Sequence, residues 1–102
     1  MVDQNSYLLV RWIHDFQNEP TLLYSEVDSE RMEIRKVEVF EGGSMSYADK
    51  YTKGEITLLG ETPLPSIQEI AKDSQFKPSA ITAEEFEMVW QKAIQQNQAK
   101  LP

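Results

Sequence analysis

This sequence predicts an α+β domain: an antiparallel sheet of about five strands, a typical sheet size, packed on one face by a C-terminal helix and accompanied by one short helix. Three observations predict it. Short apolar runs rich in β-branched and aromatic residues recur from residue 7 to residue 59 with turn signals between them. Two capping boxes follow, and a stripe of apolar residues at helical spacing closes the chain. No Gly/Ser- or Pro-rich linker interrupts the 102 residues, so residues 1–102 are expected to form a single domain around one core.

The first strand is Tyr7 to Ile13, nearly continuous in apolar residues, as expected of an inner strand covered on both faces. Glu19-Pro20 reads as the turn after it, because proline has no N–H and holds the preceding residue extended. Leu22 to Val27 is the second strand, antiparallel to the first. Between Arg31 and Phe40 the apolar positions are Met32 and Ile34, then Val37 and Val39. That one-residue slip in a period of two places a β-bulge at Arg35-Lys36. Gly42-Gly43 reads as a two-residue type I′ turn, which sets Phe40 opposite Met45, Val39 opposite Ser46 and Glu38 opposite Tyr47, with apolar groups on both faces. Met45 to Lys50 is the fourth strand. After a turn at Lys53-Gly54, Glu55 to Leu59 reads as the fifth.

Both helix starts are written in the sequence. Ser66-Ile67-Gln68-Glu69 opens a short helix to about Asp73, anchored by Ile67, Ile70 and Phe76; Thr82-Ala83-Glu84-Glu85 opens the longer one, with Ile81 positioned to staple onto Phe86. Phe86, Val89, Trp90, Ala93 and Ile94 make one face of that helix apolar, while Glu84, Glu85, Glu87 and Gln91 line the other.

Charge is the strongest compositional signal. Ten Lys/Arg against seventeen Asp/Glu give a net charge of −7. Residues 1–51 hold ten acids and five bases and residues 52–102 hold seven acids and five bases, so the excess sits in the first half. Such a field repels phosphate backbones and anionic membranes, so neither direct nucleic-acid binding nor membrane binding is expected, and long-range attraction favours a basic partner. Cysteine is absent, which removes disulfides and thiolate chemistry and suits a reducing compartment. The apolar run at Tyr7–Ile13 is broken by Arg11 and too short for a signal or a span, so the expected location is the cytoplasm.

The residues offer little for catalysis. His14-Asp15 is the one pairing that suggests acid–base chemistry, but neighbours in a strand point to opposite faces, so Asp15 orients His14 poorly and a structural histidine at a strand end is expected. The serines lack a nucleophile elbow, and the four glycines at 42, 43, 54 and 60 make no phosphate cradle. The acids from Asp28 to Glu33 lack the spacing of a calcium loop. No catalytic residue, metal or cofactor is expected.

Surface is what remains. Glu26, Asp28, Glu30 and Glu33 cluster around the turn after the second strand, and Asp15 and Glu19 lie on the connection before it. Solvation is the ordinary role of such acids, yet an acidic rim beside exposed aromatics would also plug a cationic active site. These six acids, with Tyr47 on the two-faced hairpin, are the expected partner-binding residues.

Trp12-Ile13-His14-Asp15-Phe16, Glu19-Pro20, Leu23-Tyr24-Ser25-Glu26, Glu30-Arg31, Ile34 to Phe40 and Glu84 to Trp90 resemble, in order and spacing, an uncharacterised family of small bacterial domains of unknown function, over nearly the whole chain. In size and charge the chain is similar in type to the immunity proteins that accompany polymorphic toxins, including those of contact-dependent growth inhibition. That resemblance implies a monomeric, non-enzymatic inhibitor that covers the active site of a cognate basic toxin, most simply an RNase. A regulatory module binding a small molecule or peptide between sheet and helix is the alternative.

Overall fold

The computed structural model describes residues 4–51 and 57–98. Strands β1 (Ser6–Trp12), β2 (Pro20–Val27), β3 (Glu33–Phe40) and β4 (Met45–Asp49) are followed by helix α1 (Ile67–Ile70), strand β5 (Phe76–Ala80) and helix α2 (Ala83–Gln98). The strands form one open antiparallel sheet in the order β4-β3-β2-β1-β5. This is the α+β fold that the sequence predicts.

Strand alternation sorts the sheet into two faces. Leu9, Tyr24, Val37 and Tyr47 lie on one rung across β1 to β4, and Leu22, Val39 and Met45 on another of the same face. Onto this face α2 lays Phe86, Trp90 and Ala93, which pack with Val37 and Met45. Fully burying a ring such as Phe86, which has no solvent-exposed surface, stabilises by roughly 1.5–3 kcal/mol. The opposite face carries Leu8, Val10 and Val27, against which Leu64 and Ile70 pack. Hence the sheet is covered on both faces, by a long helix on one and by a mostly irregular segment holding a single helical turn on the other.

Several elements differ from the sequence reading, each for a local reason. The fifth strand is Phe76–Ala80, not Glu55–Leu59. Its Pro78 is tolerated because an edge strand pairs on one side only. Residues 57–59 form no strand: Thr57 is instead buried, its hydroxyl meeting Ser46 and donating to Glu38 Oε1 at 2.6 Å. Glu55, Ile56 and the Lys53-Gly54 turn lie outside the described residues. The bulge in β3 is at Ile34, where pairing steps from Glu26–Arg35 to Val27–Glu33, one residue before the expected place. The β1–β2 turn centres on Gln17-Asn18, with Asn18 at φ 69°, and Pro20 opens β2.

The β3–β4 loop is Glu41-Gly42-Gly43. Phe40 donates its N–H to Ser44 O at 2.8 Å, and its carbonyl accepts from Gly43 N at 2.9 Å. One extra loop residue moves the register by one, so Val39 faces Met45 and Val37 faces Tyr47. The expected two-faced hairpin is thereby corrected: Val37, Val39, Met45 and Tyr47 share the α2 face. Helix α1 is also shorter than expected, ending at Ile70, and Phe76 belongs to β5. Ser66 Oγ caps α1 by accepting from Glu69 N at 3.2 Å. At α2 the capping box is reciprocal, with Thr82 Oγ1 and Glu85 Oε1 each accepting the other's backbone N–H at 3.0 Å.

Candidate protein-binding surface

The six acids expected to form one rim are separated by the pleat and the bulge. Glu26 and Glu33 are only 5% and 6% exposed and face opposite sides of the sheet. On the α2 side, Glu26 accepts from Arg35 Nε, and from Asn5 Nδ2 and Tyr7 Oη at 3.0 Å each. Arg35 also donates to Glu87 at 3.0 and 3.4 Å, and its guanidinium lies 4.9 and 5.0 Å from the ring centres of Phe86 and Trp90. Burial, together with the hydrogen bond to Glu26, raises the Tyr7 pKa, and the hydrogen bond from Arg35 lowers that of Glu87. On the other side, Glu33 accepts from Ser25 Oγ at 2.9 Å, Gly60 N at 2.7 Å and Lys36 Nζ at 3.0 Å.

Asp28 is occupied with the β2–β3 turn. Its Oδ1 accepts from Glu30 N at 2.9 Å and Met32 N at 3.0 Å, and the turn passes through Arg31 at φ 66°. The Arg31 side chain then donates to Leu64 O at 2.8 Å and Pro65 O at 2.7 Å, fastening the segment that covers the second face. Glu30 is exposed beside it. Tyr47, expected at the surface, is half-buried with its ring edge-on to Trp90 at 5.2 Å. Of the expected binding residues, Glu26, Glu33, Asp28 and Tyr47 are therefore engaged in structure, whereas Asp15, Glu19 and Glu30 are free of such work.

Asp15 and Glu19 lie at the other end of the sheet, on the loop from Ile13 to Glu19, and both are exposed. Exposed apolar residues share that loop: Ile13 is 50% and Phe16 60% exposed. His14 sets its shape. The Phe16 amide can only donate and the Pro20 carbonyl can only accept, so Nδ1 is the acceptor at 2.9 Å and Nε2–H the donor at 2.8 Å. Both ring nitrogens are thus used in holding the loop. The Trp12 and His14 rings are 4.2 Å apart, and Phe16 stacks on His14 at 5.3 Å and 24°.

Sequence reasoning missed what stands opposite this loop. The rung Pro20–Phe40 brings the β3–β4 loop alongside, so that Glu41 joins Glu19. Phe16, Asn18, Glu19, Phe40, Glu41 and Asn97 help to line a groove of about 880 Å³, and none of its described lining residues is basic. Glu41 was visible only as part of a glycine turn, because its proximity to Glu19 is created by strand pairing across twenty-odd residues. Among the described residues, no group of three or more His, Asp or Glu side chains is placed to hold a metal ion, and no helix is long and apolar enough to cross a membrane.

Fold and surface together define a small α+β domain that presents an acidic groove beside a half-open, internally braced aromatic loop. Residues 6–95 match the family described as Domain of unknown function (DUF6881), and the chain belongs to that family. No curated protein and no solved structure matches the chain.

Proposed function

We propose that this domain is a binding protein that captures a basic protein partner at the groove between the 13–19 loop and the β3–β4 loop, in the manner of an immunity protein that covers the cationic active site of a toxin. The observation that carries the reading is Phe16: a large side chain left 60% exposed, on a loop braced by His14, among Asp15, Glu19 and Glu41. An aromatic anchor held in place before binding loses little conformational entropy, and acids around it steer a cationic partner and disfavour anionic ones. RNA-cleaving toxins fit the complementary role, since a site that binds phosphate is itself positive. The domain acts as a monomer in the cytosol in this reading, which suits a chain without cysteine.

The test is whether a basic toxin domain is encoded beside this gene and, against that domain, association kinetics at low and high ionic strength, with cleavage of RNA as a second readout; the absence of any such neighbour would count against the toxin reading. Reversing Asp15, Glu19 and Glu41 to Lys slows association by about tenfold or more at low salt and by much less at high salt. Phe16→Ala weakens binding by roughly tenfold or more, mostly through faster dissociation. Unchanged rates in both folded variants would remove this end of the sheet from the interface.

A further inference from the structure

On the face opposite α2, a cavity of about 350 Å³ lies between the sheet and α1; it shares no lining residue with the groove above, although its wall residue Phe76 stacks on Trp12 at the start of the 13–19 loop. Its walls are Val10, Leu23, Leu64, Ile70 and Phe76. Its floor is polar, made by buried Ser25 and Glu33 and half-buried Lys36. Glu69 and Asp73, both exposed, stand at its edge. The volume falls at the small end of the roughly 300–1,000 Å³ found for ligand sites, and apolar walls with a few convergent polar groups are their usual chemistry.

The floor discriminates among ligands. The Glu33 carboxylate is matched by Ser25, Gly60 and Lys36, so the floor as a whole is close to neutral. Lys36 donates to Glu33 Oε1 at 3.0 Å and Leu58 O at 3.1 Å, which leaves one of its three N–H groups without a partner among the described residues. A neutral acceptor can take that N–H, whereas an anion would be set beside Glu33. At the edge the sign is negative: Lys72 balances Glu69 at 3.1 Å, and Asp73 adds a further carboxylate. An aromatic body fits against Phe76 and the aliphatic walls.

We propose that this cavity binds a small aromatic amine whose inner end carries a neutral hydroxyl or carbonyl oxygen. The oxygen accepts from Lys36 Nζ, the ring fills the apolar walls, and the ammonium group meets Asp73 and Glu69 at the edge. The cavity and the groove at the 13–19 loop share no lining residue, so ligand binding and partner capture are read out separately and either can fail without the other.

The experiment is an amide-shift NMR titration of the full chain with a series sharing one ring: tyramine, 4-ethylphenol and 3-(4-hydroxyphenyl)propanoate, with phenethylamine to remove the hydroxyl. Tyramine saturates shifts at Ser25, Gly60 and Ile70, binds about three- to fivefold tighter than 4-ethylphenol because an exposed charge pair contributes modestly, and outcompetes phenethylamine; the propanoate is weakest. Asp73→Asn with Glu69→Gln brings tyramine and 4-ethylphenol to parity. Ile70→Trp, or Leu64→Trp should the first not fold, fills the cavity and abolishes the saturable shifts. No saturable binding by any of the four compounds, shifts confined to other parts of the sheet, or preference for the propanoate would each overturn the proposal.

Discussion

A carboxylate that is almost wholly removed from water costs several kcal/mol unless a cation and hydrogen-bond donors meet it, and for Glu26 these are Asn5 just before β1, Tyr7 in β1 and Arg35 in β3. Arg35 then extends to Glu87 and to the faces of Phe86 and Trp90, so one side chain ties sheet to helix. Arg35→Met should destabilise by about 2–4 kcal/mol, somewhat less than exposing an isolated buried charge because Asn5 and Tyr7 still bond Glu26. Urea unfolding of Arg35→Met, Glu26→Gln and the double mutant measures the pair directly. The double mutant should recover at least about 1 kcal/mol of the summed losses, and additivity within about 0.5 kcal/mol would show that the two do not act together. Tyr7 gives a pH signature. Burial first, and then its hydrogen bond to Glu26, raise its folded pKa. Its neutral form is thus the one the fold favours, and this contribution is complete below the unfolded value near ~10 and is lost as pH rises through the higher folded value. Tyr7→Phe should remove that alkaline loss, seen as a flatter stability curve above about pH 10 than in the parent.

The β3–β4 hairpin and α2 are the elements on which the larger core rests. Gly42 and Gly43 sit at φ +92° and +96° with no atom within 4 Å of where a Cβ would stand, so the obstacle to substitution is the backbone and not space. Replacing either by Val should cost about 1–2 kcal/mol, and replacing both should disturb the Val39–Met45 register. Unaltered amide shifts along β3 and β4 in the double variant would exclude that dependence. For α2, Trp90 is buried between Phe86, at 6.2 Å, and Tyr47. Trp90→Ala should cost about 3–5 kcal/mol and lower the melting temperature by more than about 10 °C. A melt within a degree or two of the parent would mean that α2 does not depend on this contact. Thr82→Ala, which removes one half of the capping box, should cost about 1 kcal/mol.

At the scale of the molecule, the net charge of −7 is unevenly employed. Glu26 and Glu33 are internal counter-ions on opposite faces, while Asp15, Glu19 and Glu41 are exposed at one end of the sheet. Charge reversal therefore separates two roles by stability alone. Glu26→Lys or Glu33→Lys should unfold the domain or bring its melting temperature down sharply, since each puts a cation at a buried position against Arg35 or Lys36. Asp15→Lys, Glu19→Lys and Glu41→Lys together should move it by only a few degrees, because exposed substitutions usually stay within about 0.5 kcal/mol each. Thermal melts of these variants check the partition before any binding is measured.

The chain's local signals determined the first four strands, the two helix starts, the placement of an apolar stripe on α2 and the fold class. Each depends on neighbours within a few residues: alternation, a hydroxyl three positions before a carboxylate, or two adjacent glycines. The fifth strand escaped that reading because Phe76-Lys77-Pro78-Ser79-Ala80 has no strand pattern and is held by pairing with β1. The candidate surface was legible in part. Asp15 and Glu19 stand out as acids on a connection, but Glu41 reaches them only through the Pro20–Phe40 rung, and the clustered acids from Glu26 to Glu33 look alike in sequence. Tertiary structure alone decided which of them face water. A single inserted residue, Ile34, turns Glu33 toward Lys36 and Arg35 toward Glu26, since a strand's side chains change face with every one-residue step.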